Sequence, residues 1–147
     1  MDITVRPLDR EDKQGWLELW QAYLEHYGEN ASAHLTFSTF DRLVNREHPL
    51  RGRIALSGTD VIGFAHYFVH DSTWHTRETC FVEDVYVDAA YRRRGVARKL
   101  VDDVARVAGI NSWGRLYMSV PGTDERAISF FRAVAEETDW IVFEYKL

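Results

Sequence analysis

One short stretch constrains this chain more than any other: Arg92-Arg93-Arg94-Gly95-Val96-Ala97, set between a strand-like run and a helix-like one. The run before it, Phe81 to Val87, is rich in β-branched and aromatic residues and reads as a strand. From Val96 the period changes. Val96, Ala97, Leu100, Val101, Val104, Ala105 and Ala108 fall on one helical face, with Arg98, Lys99, Asp102, Asp103 and Arg106 opposite, and Gly109 stands where that helix would stop. A helix N-terminus offers unpaired backbone N–H groups and partial positive charge, so it attracts anions. Gly95 lets the backbone come close to a ligand, Ala97 keeps the next turn slim, and the three arginines add donors suited to phosphate. Three adjacent arginines taken alone would equally suit a solvated basic turn. In this strand–loop–helix setting they predict a phosphate site.

The remaining elements follow from the same two periods. Ile3 to Arg6 alternates like a short strand, and Asp9 is placed to cap a helix carrying Trp16, Leu17, Trp20, Tyr23, Leu24 and Tyr27, ended by Gly28. A second helix is expected from Ser38 to Arg46. Arg53–Leu56 and Val61–Ala65 flank a Gly-containing turn and read as a hairpin whose second arm runs on through Val69. Beyond the central helix come a strand over Arg115–Val120, a helix over Asp124–Glu136 and a final strand over Trp140–Leu147. No repeat, low-complexity stretch or linker interrupts this order, so residues 1–147 are read as one domain. The expected class is α/β (α+β): a mixed, mostly antiparallel central sheet of six to seven strands with helices on both faces.

Composition narrows the partners. With 18 basic and 23 acidic residues the formal net charge is −5, which argues against a nucleic-acid partner and mildly favours a cationic one. No apolar run nears the ~20 residues needed to span a bilayer, and a strand starting near Ile3 leaves no room for a signal peptide. A single cysteine, Cys80, rules out an internal disulfide and suits a reducing, cytoplasmic compartment. His66, His70 and His75 lack the Cys or carboxylate spacing of a metal site, so no metal is expected.

Val82-Glu83-Asp84-Val85-Tyr86-Val87 followed by Tyr91-Arg92-Arg93-Arg94-Gly95-Val96-Ala97 resembles motif A of the Gcn5-related N-acetyltransferases, an Arg/Gln-x-x-Gly-x-Gly/Ala loop after the fourth strand. The family's element order matches nearly the whole chain. His70-Asp71-Ser72-Thr73-Trp74 with Phe81-Val82-Glu83-Asp84 further resembles the spermidine/spermine (diamine) acetyltransferase branch. The dinucleotide fingerprint and the Walker loop are both absent.

The resemblance implies acetyl-CoA as cosubstrate, lying between the Phe81–Val87 and Arg115–Val120 strands. Val85, Tyr86 and Val87 would line its pantetheine arm, and Arg92 to Arg98 (Arg92, Arg93, Arg94, Gly95, Val96, Ala97 and Arg98) its pyrophosphate. It also implies direct acetyl transfer to a small amine or polyamine. A peptide or protein acceptor, or a non-catalytic acyl-CoA-binding module, are the alternatives. An alkylammonium with pKa about 10.4 is neutral in roughly one molecule in 10³ at pH 7, so a base is needed. Glu83 is the candidate. Adjacent Glu83 and Asp84 should face opposite ways unless a bulge intervenes.

The last helix departs from the family pattern Asn-x-x-Ala-x-x-Phe/Leu-Tyr: here Asp124 replaces Asn, and Phe131 stands where a tyrosine usually serves as general acid. Both are still expected at the cofactor. Trp20, Tyr27 and Trp74 are candidates for the acceptor wall, although Trp16, Trp20, Tyr23 and Tyr27 also suit core packing. The resemblance implies a homodimer built through C-terminal strands.

Overall fold

Alternating apolar residues make five strands, and their order in the chain is their order in space. In the computed structural model, which describes residues 1–147, the elements run β1 (Ile3–Pro7), α1 (Lys13–His26), α2 (Ala33–Val44), β2 (Arg51–Ser57), β3 (Asp60–Ser72), β4 (His75–Val87), α3 (Val96–Ile110), β5 (Arg115–Met118) and α4 (Glu125–Val134). Short 3-10 turns over Arg10–Asp12 and Ala89–Tyr91 precede α1 and α3. Strands β1 to β4 form an antiparallel meander, and β5 joins β4 in parallel after the α3 crossover.

The sheet buries both faces. Trp16, Leu19 and Trp20 of α1 and Phe40 and Leu43 of α2 close over Ile54, Leu56 and Phe64. On the other face Val96, Leu100 and Val104 of α3 pack on Ile62, Ala65, Tyr67, Cys80 and Val82. Each such side chain, fully removed from water, contributes about 1.5–3 kcal/mol. Asp9 caps the chain's entry to α1 through Arg10 N–H, while Asp12 accepts both Arg6 guanidinium nitrogens at 2.8 Å. Gly28, at φ +69°, reverses the chain after α1. Ser32 accepts the Leu35 N–H, so α2 starts at Ala33, upstream of the expected Ser38.

Gly63 sets the depth of α3. A Cβ there would meet the Tyr86 carbonyl oxygen at 2.9 Å, with Leu100 and Val96 methyls at 3.2 and 3.3 Å. Its lack of a side chain lets the helix that carries the Arg92–Ala97 loop settle directly on β3.

Two departures bear on function. The β3–β4 register pairs His66 with Asp84 and Tyr67 with Val82, so Glu83 is the extra residue of a β-bulge. The sheet has five strands, not six to seven. Trp140–Leu147 has the composition of a strand but pairs with nothing in its own chain; Trp140 is 72% exposed and Phe143 90%. Strand propensity expresses packing against neighbours, and this segment's one aromatic ring pair is Trp140 with Trp74, ring centroids 5.8 Å apart. The outer edge of β5 is left free, and no helix is long and apolar enough to cross a membrane.

Candidate active site

Parallel pairing between β4 and β5 stops at Val82 and Met118. Beyond that point the strands diverge and α4 bridges the opening, leaving two joined hollows. The larger, about 600 Å³, is lined by Val85, Tyr86 and Val87 of β4, Arg92, Arg93 and Ala97 of the loop, and Asp124, Ala127, Phe130 and Phe131 of α4. The smaller, about 200 Å³, lies between Tyr23, Glu83, Met118, Ser119, Val120 and Pro121. Tyr27, Val85, Ala127 and Phe131 line both, and so mark the junction.

At the mouth of the larger hollow the chain turns through two left-handed residues, Arg93 at φ +63° and Gly95 at φ +78°. Gly95 is the N-cap residue of α3, and no side chain caps the helix there. The first-turn N–H groups of Val96, Ala97 and Arg98 therefore have no intrahelical partner and stand open to an anion. Arg92 is steadied by the Val87 carbonyl, 3.1 Å from its Nε, and lies over the Tyr86 ring. Arg94 lies over Tyr91 on the outside, Arg98 pairs with Asp102, and the Val96 side chain is core. Of the loop residues expected at the cofactor, Arg92, Arg93 and Ala97 thus face the hollow with their side chains. Arg94, Val96 and Arg98 do not.

Asp124 joins two helices across the site. One carboxylate oxygen accepts the Ala127 N–H at 3.1 Å and caps α4; the other accepts the Tyr27 hydroxyl at 2.8 Å and faces His26 Nε2 at 3.4 Å. Partial burial works to raise its pKa, but these bonds outweigh it and hold the carboxyl below the usual range. Burial first, and then the same contact, pushes the Tyr27 hydroxyl up to about 12. Tyr27 and Asp124 lie 97 positions apart, so their pairing is invisible in the sequence.

Below Glu83 runs a buried polar chain. Trp16 Nε1–H donates to His66 Nε2 at 3.0 Å; His66 Nδ1 lies 2.9 Å from one oxygen of Asp84; the Tyr23 hydroxyl donates to the other at 2.6 Å. Because the Trp16 N–H occupies Nε2, the ring proton belongs on Nδ1, where it donates to Asp84. Burial and the Asp84 charge raise the Tyr23 pKa. Glu83 stands on the pocket side of this chain without an ion-pair partner. Loss of hydration, then the neighbouring Asp84 charge, raises its pKa above the ordinary carboxylate value. The bulge undoes strand alternation here, so adjacent acids serve one region: Asp84 ties down α1 and Glu83 faces the small hollow.

The other expected residues divide. Phe131 is at the junction, edge-on to Phe130. Trp20 is 8% exposed, stacked on Trp16 and bonded to Thr36, so it belongs to the core and not to the acceptor wall. Trp74 is 75% exposed at the β3–β4 turn and lines neither hollow. Burial pushes the Cys80 thiol up to about 12, which leaves it inert as a nucleophile. No group of three His, Cys, Asp or Glu side chains is placed to hold a metal.

The model of the acetyltransferase (GNAT) family matches residues 13–135. The chain belongs to that family. The GNAT relatives include the D-amino-acid N-acetyltransferase of Saccharomyces cerevisiae, 29% identical over 97% of this chain and 89% of the relative. Another is the thialysine N-epsilon-acetyltransferase of Bos taurus, 30% identical over 60% of this chain and 55% of the relative. Among solved GNAT structures, a ribosomal-protein-alanine N-acetyltransferase from Brucella melitensis superposes with TM-score 0.83 at 18% identity, over 99% of this chain and 100% of that one. The aminoglycoside acetyltransferase AAC(6')-Iy, solved with a bisubstrate analogue, superposes with TM-score 0.86 at 20% identity, over 100% of this chain and 99% of that one. The GNAT assignment makes this a GNAT-type N-acetyltransferase.

Proposed function

We propose that the protein transfers the acetyl group of acetyl-CoA directly to a primary amine of a small molecule. The observation that carries this is the joined pair of hollows: an anion-ready helix terminus opens into one, and Glu83 is the only charged side chain in the other. The pyrophosphate lies at the first-turn N–H groups of α3 with Arg92 and Arg93, and the pantetheine arm follows Val85 and Val87. The thioester then sits at the junction. The amine nitrogen attacks the carbonyl carbon, a backbone N–H near Val85 polarises the oxygen, and Glu83 takes the proton the nitrogen loses, directly or through water. The carbon–sulfur bond breaks with its electron pair on sulfur. Phe131 offers that sulfur no proton, and a thiol pKa near 8.5 lets it leave as thiolate. A hollow of about 200 Å³ favours a small amine over a protein segment. The names of the yeast and bovine relatives, both acting on amines, agree.

Thiol release from acetyl-CoA across a panel of amines tests the reading. Turnover is expected, and Glu83→Gln should lower it about 10²–10⁴-fold at neutral pH and abolish the rise of rate with pH. Tight CoA binding with no turnover on any amine would leave an acyl-CoA-binding module instead.

A homodimer belongs to the same proposal, as does a reducing, cytoplasmic setting for the lone buried Cys80. The chain exposes 10067 Å², whereas a compact monomer of 17.1 kDa exposes about 7,800 Å². The excess is of the size that large homodimer interfaces cover. It coincides with the free β5 edge, with α4, which buries no residue, and with the apolar Trp140–Leu147 segment. A second copy, taking that segment as an added strand on β5, covers all three.

A further inference from the structure

Three aromatic rings stand abreast on the sheet face just beyond the small hollow. Register places Phe68 of β3 beside Phe81 of β4, and Phe81 beside Tyr117 of β5. Their ring centroids are 5.5 and 4.8 Å apart, and all three are half-buried. Along the strand direction the strip is flanked by opposite charges. At one end is Glu83. At the other the Arg115 guanidinium lies 4.2 Å from the Tyr117 ring centroid, and His70 Nε2 is 3.0 Å from the Tyr117 hydroxyl. Neither Glu83 nor Arg115 enters any of the molecule's ion pairs.

We infer that this strip is the acceptor track, and that Arg115 receives a carboxylate at the far end of the acceptor from its reacting amine. The inference rests on the acetyltransferase reading and names its substrate class: an ω-amino acid or a lysine-like side-chain amine. Charge decides the class. A diamine lying on the strip would set its second ammonium against Arg115, whereas a carboxylate meets a planar two-donor fork. Length agrees. Arg115 is two residues before Tyr117 and Glu83 two after Phe81, so about 13 Å of strand rise separates their levels. The guanidinium leans over Tyr117 and takes up about half of that, leaving room for a chain of about four to five methylenes. The rings supply an apolar floor for those methylenes. This replaces the polyamine expected from the upstream resemblance with an acceptor charged oppositely at its two ends.

The test is calorimetric titration of the protein–CoA complex with 6-aminohexanoate, pentylamine and cadaverine, repeated with Arg115→Gln. Arg115 is exposed, so the variant should fold. The wild type is expected to bind 6-aminohexanoate about tenfold or more tightly than either amine without a carboxylate. Arg115→Gln should erase that margin, leave pentylamine unchanged and tighten cadaverine, whose second ammonium no longer meets a like charge. Equal or tighter binding of cadaverine, an equal effect of the variant on all three, or no binding by any of them would overturn the inference. Thiol release on the same panel separates the two readings. Best turnover with cadaverine keeps the acetyltransferase and removes the role of Arg115. Carboxylate-dependent binding without turnover does the reverse.

Discussion

Asp84→Ala should cost the protein about 3 kcal/mol of stability, a figure that follows from two orphaned donors. Asp84 accepts from the Tyr23 hydroxyl and from His66 Nδ1–H, and the Trp16 N–H on the other ring nitrogen stops His66 from re-pairing by changing tautomer. A buried donor left without a partner costs about 1–3 kcal/mol. His66 is 2% exposed and sits at the upper end of that range, while Tyr23 borders the small hollow, where water reaches it. For a chain of this length the loss corresponds to a fall in Tm of roughly 6–12 °C by calorimetry. Asp84→Asn keeps one acceptor and should cost about half as much. The same variant carries a signed prediction for catalysis. The Asp84 charge raises the Glu83 pKa, so removing it lets Glu83 ionise at lower pH. The limb on which kcat/KM rises with pH should therefore move to lower pH in Asp84→Asn. A Tm within about a degree of wild type, or a limb that stays or moves upward, would refute the reasoning.

Phe131→Tyr restores a hydroxyl at the junction and should leave the rate equal or raise it; a large loss would mean that the Phe131 ring packs the acceptor. Gly63→Ala drives a methyl to 2.9 Å from the Tyr86 carbonyl, which should destabilise the fold by about 1–3 kcal/mol and weaken CoA binding by lifting α3. Unchanged melting would show that the sheet gives way more easily than packing here suggests. Deleting residues 138–147 should turn a dimer into a monomer by light scattering, and a full-length protein that stays monomeric at high concentration sinks the strand-exchange proposal.

The strand–loop–helix unit was legible because its signals are local: the period shifts at Val96, and Gly95 and the arginines stand at the shift. Helix α1 was legible as a helix, but its aromatic stripe was not legible as to destination. Trp16 and Trp20 go to the core and Tyr27 to the site, a division set by the sheet they land on. Glu83 could be singled out by its place in the motif, yet its direction depends on a bulge that only the β3 register reveals. The α1 partners of Asp84 and Asp124, Tyr23 and Tyr27, lie 61 and 97 positions away, and no periodicity reports such pairs. Trp140–Leu147 shows the converse. Its residues state a preference for a strand, but no strand of the same chain answers it.

The bulge at Glu83 acts on β4 as a frameshift acts on a message. Before it, even-numbered Cys80 and Val82 face α3; after it, odd-numbered Val85 and Val87 do, while Asp84 and Tyr86 turn to the α1 side. Two incompatible parities are thus spliced at one residue, one serving the aromatic strip and the other the cofactor groove. Deleting Glu83 would therefore remove the carboxylate and the bulge together. Val82 and Asp84 pair with consecutive residues of β3, so without residue 83 they would become neighbours in plain alternation, and Val85 and Val87 would keep their places in the core. Position 83 is thus an insertion that adds one side chain at the small hollow without changing the face that any neighbour takes.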